Sequence, residues 1–237
     1  MSLAKVPVTL IVSYAFKRCI RPPNPPPPKE ERIHTNFLEV GWYTANTPGP
    51  AGDLQFLFGI LEALTIIAWN YSSSPLSQTI LSTLVFSGGR PDHLHLSTMS
   101  AIGGAMIVAG TLIRLTTYRY LGKFFKFEAS IQKDHQLVTG GPYAFVRHPS
   151  YTGLILTHSG WVLWHIGDGS WVRESGIWSS FAGKSVVLGF FFGIICGMLY
   201  LVLMRMGNED EALRKQFGQK WDEWAKNVPY LLFPKIY

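Results

Sequence analysis

Apolar residues in this chain are bunched into long runs. A helix needs roughly 20 apolar residues to cross a bilayer. Five stretches approach or reach that length: residues 1–20, 54–71, 97–118, 150–166 and 186–206. The first is marginal, and peripheral attachment is its alternative. Its apolar stretch, 3–16, precedes Lys17, Arg18 and Arg21, the reverse of the order in a cleaved signal peptide. Residues 75–86 are apolar but too short to cross, which suits a re-entrant or interfacial segment. The pattern predicts an all-α integral membrane protein with about five transmembrane helices (four to six).

Polar residues inside the runs mark local roles. Glu62 sits within the second, where a carboxylate is a functional candidate by default; no chemical motif surrounds it, so a structural, paired role is favoured. Ala101, Ala105 and Ala109 recur every fourth residue in the third run and predict a close-packing face. Arg114, near the end of that run, is expected to snorkel to the interface. His158 and His165 share one helical face in the fourth and favour bonding between helices over lining a lipid tunnel. Gly189, Gly193 and Gly197 form overlapping GxxxG motifs in the fifth and predict a packing seam. Between the first two runs, RPPNPPPPKEER reads as a stiff, solvated polyproline connector.

Composition agrees: 47% of residues are hydrophobic and 15% charged, against about 25% charged in soluble domains. With 8 Trp, 10 Tyr and 15 Phe, disorder is excluded. A net charge of +6 invites a nucleic-acid reading, but the positive residues flank the apolar runs and read as membrane topology. Segments 17–32 and 119–148 are basic and belong on the cytosolic side; 72–96 carries only Arg90 and belongs on the lumenal side. Cys19 and Cys196 cannot make a disulfide framework, and Cys196 reads as a small buried hydrophobe. Asp92-His93-Leu94-His95 is the nearest thing to a metal set and falls in a lumenal loop; no metal is expected. The chain divides into an N-terminal helical region, 1–118, and a C-terminal region, 119–237, that carries the chemistry.

Topology brings two polar segments together there. The fourth run starts just after Arg147-His148-Pro149-Ser150-Tyr151, and the fifth ends at Arg205, followed by Asn208-Glu209-Asp210-Glu211. Both lie at one membrane face. Pro149 suits a first helical residue, and the free N–H groups after it favour an anion. Asn208 and Glu211 resemble a capping box opening a new helix. That helix places Leu213, Phe217, Trp221, Trp224 and Val228 on one face, able to lie on the membrane or roof a site, with Gly218 able to interrupt it.

The ordered set Asp134-His135-Gln136-Leu137-Val138-Thr139-Gly140-Gly141-Pro142-Tyr143, then Arg147-His148-Pro149-Ser150-Tyr151, then Arg205 with Glu209 and Phe217-Gly218, resembles the isoprenylcysteine carboxyl methyltransferase family, in particular its fungal members. The resemblance is densest over residues 118–234. It implies a multi-pass enzyme of the endoplasmic reticulum membrane with a cytosolic site. That enzyme would transfer a methyl group from S-adenosylmethionine to the carboxylate of a C-terminal prenylated cysteine. Its partners would be prenylated proteins, such as Ras-like GTPases and lipidated peptide pheromones, and membrane lipid, without nucleic acid or metal. By that likeness the cofactor contacts fall on Glu128, His135, Gln136, Leu137, Val138, Tyr143, His148, Pro149, Ser150, Tyr151 and Glu209. Arg205 meets the substrate carboxylate, and Arg205 and Glu209 carry catalysis. Glu128 stands where some relatives have Gln, Asp210 where a second Glu is common, and Trp221 and Trp224 where tyrosines occur.

These residue types suit the reaction. A C-terminal carboxylate has a pKa of about 3.3–3.7 and is already ionised, so no general base is needed. Carboxylate and sulfonium give neutral products, which a dry site favours. Arg205 offers a planar fork to the carboxylate, Glu209 accepts hydrogen bonds from the cofactor's amine or ribose, and Tyr143 and Tyr151 offer aromatic faces to a sulfonium. The rival activity is phospholipid N-methylation, in which Arg205 would meet a phosphate.

Overall fold

A computed structural model describes residues 3–33 and 48–236. The chain runs through α1 (Lys5–Ile20), α2 (Pro48–Asn70), α3 (Pro75–Leu84), α4 (Thr98–Leu121), α5 (Pro149–Ile166), α6 (Trp171–Glu174), α7 (Phe181–Phe217) and α8 (Gln219–Asn227), joined by 3-10 turns. Among the described residues there is no strand, only an isolated bridge between Arg32 and Ser130. It is an all-α, multi-pass membrane protein. The segments Gly49–Asn70, Thr98–Phe124 and Phe181–Phe217 are long and apolar enough to cross a membrane.

The expected first and fourth runs form helices in the same bundle, but α1 has 16 residues and α5 has 18. Their polar residues turn inward: Lys5, Thr9 and Ser13 on α1, and Thr152, Thr157 and His165 on α5, are all buried. Val12, Phe16 and Cys19 of α1, Ile107 of α4, Trp161 and Trp164 of α5 and Phe191 of α7 form the central core.

The closest helix contact is made by glycines that the sequence pattern did not single out. A Cβ at Gly103 would lie 2.6 Å from the Gly160 carbonyl, and one at Gly110 would lie 2.5 Å from that of Gly153. Glycine lets the α4 and α5 backbones touch, as in membrane helix pairs. Ala101, Ala105 and Ala109 are exposed, on the other face of α4. Gly189 and Gly193 meet nothing within 4 Å among the described residues, so that GxxxG stripe packs against no described helix. Cys196 is exposed on the same helix. Periodicity shows that small residues share a face; it does not show what faces them.

The bundle has two distinct ends. At one, the C-terminus of α1, the N-terminus of α5 and the last third of α7 meet. The other end gathers the start of α1 and the loop after α5. There Glu62 has the paired role expected of it: Lys5 Nζ donates to Glu62 Oε1 at 2.5 Å and to Gly169 O at 2.6 Å, and the Trp171 N–H donates to Glu62 Oε1 at 3.2 Å. His165 Nε2 lies 3.0 Å from Gln55 Nε2 and 3.1 Å from its Oε1. Exposed Leu76 leads α3, the short apolar segment.

α7 runs unbroken through Asn208 and Glu211, so the predicted capping box opens no helix. Its hydrogen-bond ladder already satisfies those N–H groups. The break comes at Gly218, whose φ of +54° a side chain would strain.

Candidate functional site

The first of the two ends encloses a cavity of about 280 Å³, near the lower limit of ligand pockets at roughly 300–1,000 Å³. Eleven of the twelve predicted site residues line it: Glu128, His135, Gln136, Leu137, Val138, Tyr143, His148, Ser150, Tyr151, Arg205 and Glu209. Pro149 is the exception; it opens α5, where its missing N–H leaves nothing unpaired.

The two polar segments face each other as topology required. His148 Nε2 lies 3.0 Å from Asp210 Oδ1, and its Nδ1 lies 3.7 Å from Glu209 Oε2. Arg147 Nη1 pairs with Asp210 Oδ2 at 3.4 Å. Tyr151 donates its hydroxyl to Glu209 Oε1 at 2.5 Å, and Arg205 Nη2 donates to the same oxygen at 3.3 Å. The Arg205 guanidinium also lies 5.9 Å from the Tyr151 ring centre. Arg205 is only 5% exposed, so its charge is balanced within the site.

The C-terminal tail holds this arrangement in place. The Arg147 and His148 N–H groups donate to the carbonyls of Tyr230 and Leu231, and the Thr152 hydroxyl donates to Leu232 O at 2.6 Å. The predicted apolar face packs inward, with Trp221, Trp224 and Val228 against Tyr143. Trp224 Nε1 donates to Tyr143 O at 3.1 Å. α8 therefore roofs the cavity. Burial, with the Glu209 charge adding to it, raises the Tyr143 phenol well above its ordinary value, so the phenol stays neutral.

Burial likewise holds the His135 imidazole below its ordinary 6.5, partly opposed by Glu31. Its ring stacks on Phe124 at 4.8 Å, and its Nδ1 accepts a long hydrogen bond from the Gln132 N–H.

Sequence reasoning placed Arg114 at the interface, whereas it is 4% exposed and lines the cavity. Its Nε donates to Cys19 O at 2.9 Å, capping the C-terminus of α1 where a cation is favoured. Its Nη1 reaches Ser150 O at 3.3 Å. An arginine inside an apolar run is itself the signal that marks such a position. His158 bonds its own helix through Leu154 O rather than a neighbouring one, and it lines the cavity. Leu154, Ile194, Met198 and Leu201 extend the lining into the bundle's apolar interior; no motif announces them. Among the described residues, no His, Cys, Asp and Glu cluster is grouped to hold a metal.

Comparison with known proteins bears on this architecture. A family model described as phospholipid methyltransferase matches residues 98–171. The chain is 29% identical over 168 residues to protein-S-isoprenylcysteine O-methyltransferase B of Arabidopsis thaliana, covering 69% of this chain and 74% of that one. It is 29% identical over 147 residues to the Mus musculus protein-S-isoprenylcysteine O-methyltransferase, covering 59% and 43%. It is 30% identical over 135 residues to that of Schizosaccharomyces pombe, covering 55% and 47%. The chain thus spans less than half the length of the mouse and fission-yeast relatives it matches.

Fold and site together define a helical membrane protein with a charged cavity at one end of its bundle. The chain is similar, at 29–30% identity over part of its length, to protein-S-isoprenylcysteine O-methyltransferases.

Proposed function

We propose that this protein methylates the α-carboxylate of a C-terminal prenylated cysteine, using S-adenosylmethionine. One observation carries the reading. A single cavity joins a charged end, with Arg205, Glu209 and His148, to an apolar end, with Leu154, Ile194, Met198 and Leu201. An acid at the end of a lipid chain has that polarity.

The residues present fit the donor. Glu128 and Glu209 offer carboxylates to its cationic and hydroxyl groups, and Tyr143 and Tyr151 offer aromatic faces to a sulfonium. His135, Gln136, Leu137, Val138, His148 and Ser150 complete the wall it would occupy, with Pro149 opening the helix behind them. When bound, the donor supplies a methyl group on cationic sulfur, which the carboxylate oxygen takes as the carbon–sulfur bond breaks and its electron pair stays on sulfur.

Arg205 orients the acid through its planar fork. Glu209, 3.3 Å away, shares that positive charge, so the guanidinium holds the carboxylate without quenching it. That balance matters, because binding reactant and transition state equally brings no acceleration. Tyr151 fixes Glu209 by its hydroxyl bond. α8 and its tryptophans cover the site and keep water out, which favours a reaction that annihilates charge. No side chain has to move a proton.

The basic segments 17–32 and 119–148 support a cytosolic orientation for this end, and the resemblance to isoprenylcysteine methyltransferases supports the endoplasmic reticulum. On this reading residues 119–237 supply the chemistry and residues 1–118 the helices packed against it. The partners are prenylated proteins, Ras-like GTPases and lipidated pheromones among them, delivered from the bilayer.

The test is methyl transfer from tritiated S-adenosylmethionine in membranes, with N-acetyl-farnesylcysteine and phosphatidylethanolamine as competing acceptors. The lipidated cysteine should be labelled. Labelling of the phospholipid alone would select the rival activity, which the matched family model brings into the test. Arg205→Ala should lower kcat/KM for the cysteine acceptor by about 100-fold or more, the effect of losing a charged contact made to the reacting group. It should leave donor binding within about threefold; equal loss of both would reject the assignment.

A further inference from the structure

The proline-rich segment between α1 and α2 is the feature of the sequence that the reaction leaves unused. Its composition predicts a solvated connector. It is exposed over most of its length, and it is also tied along residues 122–133, the loop that carries Glu128. Asn24 Nδ2 donates to Gly122 O at 2.8 Å and to Phe125 O at 2.9 Å, and Lys126 Nζ donates to Pro25 O at 2.9 Å. Farther along, the Ile33 N–H donates to Ala129 O at 2.9 Å and the Ile131 N–H to Glu31 O at 3.0 Å. These two bonds frame the bridge between Arg32 and Ser130. The Lys133 N–H donates to Glu31 Oε1 at 3.2 Å.

Arg32 is the centre of this seam. Its Nε and Nη2 donate to Pro27 O at 3.2 and 3.1 Å, folding the segment back on itself. The same Nε lies 2.8 Å from Glu128 Oε2. The Glu128 side chain is only 16% exposed and lines the cavity, as does Ile33. The planar guanidinium beside it fixes the direction of that carboxylate. Proline-rich backbone has little freedom to lose on docking. The segment therefore orders the loop at small entropic cost, which is preorganisation in the ordinary sense.

We propose that residues 21–33 are a strap over the methyl-donor end of the cavity, and that Arg32 is a positioning residue. It holds the Glu128 side chain in place through one carboxylate oxygen and leaves the other for hydrogen-bond donors of the methyl donor. This rests on the cavity being a methyl-donor site.

The test uses the full chain in lipid nanodiscs, with Arg32→Ala, Arg32→Lys, Glu128→Gln and the Arg32→Ala/Glu128→Gln double variant. Arg32→Ala should raise the donor KM and weaken S-adenosylhomocysteine binding by about 5- to 10-fold, the range of one ordinary polar contact. The acceptor KM and Tm should stay unchanged. Arg32→Lys should recover part of the loss. In the Glu128→Gln background, Arg32→Ala should add less than about twofold, since paired residues are non-additive. Additive losses, or donor and acceptor KM rising together with a fall in Tm, would overturn the positioning role. Amide exchange separates the strap from the enzyme reading. Ile33 and Ile131 should exchange about tenfold faster in Arg32→Ala than in the parent chain, whether or not the parent binds S-adenosylhomocysteine. Unchanged protection would overturn the strap, whereas a parent that binds no S-adenosylhomocysteine would overturn the donor site instead.

Discussion

Both ends of the bundle bury charge, and they do so in opposite ways. At the far end Lys5 and Glu62, each 1% exposed, are closed on one another, and the Gly169 carbonyl and Trp171 N–H add one bond to each. Neither lines the cavity at the other end. At the near end Arg205 pairs with Glu209 and Arg147 with Asp210, but beside about 280 Å³ of space. The difference separates a staple from a site. Buried charge closed on itself and bonded to backbone joins helices, here α1 and α2 to the loop after α5. Buried charge around a space is set out for a ligand.

Removing one carboxylate from each end breaks the comparison apart. Glu62→Ala leaves a buried ammonium with one carbonyl. It should destabilise the chain by about 3–5 kcal/mol, the cost of orphaning one partner of a buried pair. Replacing the pair together, with Lys5→Met and Glu62→Leu, should restore most of that loss. Thermal unfolding in nanodiscs reads both; a small loss in the single variant would mean that water reaches the pair. Glu209→Ala should do the reverse. Tm should move little, while calorimetric donor affinity should fall by about 10-fold or more, the loss of a charged hydrogen-bond acceptor. A large fall in Tm with unchanged affinity would make Glu209 a second staple.

The two ends also differ in how much of them the chain discloses by pattern alone. The five apolar runs became five helices of one bundle, and the segments at 147–151 and 205–211 met, because run length and alternation of sides are one-dimensional properties. Paired Glu62 was legible for the same reason: a lone carboxylate in an apolar run must find a cation. Which residues face inward was less so. Arg114 was read as reaching water, yet α1 ends beside it and offers Cys19 O. The capping box failed because α7 simply continues. The glycine stripe at 189 and 193 was read as a seam, whereas the seam is Gly103 and Gly110 against Gly153 and Gly160. Gly160→Ala should therefore destabilise by about 1–3 kcal/mol through overpacking, since its Cβ would lie 2.5 Å from Gly103 O. Gly193→Ala, with open space around it, should be neutral or slightly stabilising by helix propensity. Equal effects in thermal unfolding would mean that the α4–α5 backbones do not approach this closely.

The smallest expected effect is one of pH, and it belongs to the near end alone. His135 is a base whose folded pKa lies below its ordinary 6.5 because burial disfavours the imidazolium, although Glu31 partly offsets this. Above 6.5 both folded and unfolded chains hold a neutral ring, and its contribution is fully present. As pH falls below 6.5 the unfolded chain binds the proton first. Stability is then lost progressively until the folded value is passed. The same proton would occupy Nδ1, which accepts from the Gln132 N–H, and would set a charge against the Phe124 ring where the cavity wall turns. Donor affinity should therefore decline by about two- to fivefold between pH 7.5 and 5.5, a change of under one pKa unit's worth of free energy. His135→Phe keeps a ring against Phe124 and removes the titration, so its affinity should stay flat over that interval. If the slope survives in that variant, another group in the cavity takes up the proton, and the loop around His135 is only a wall.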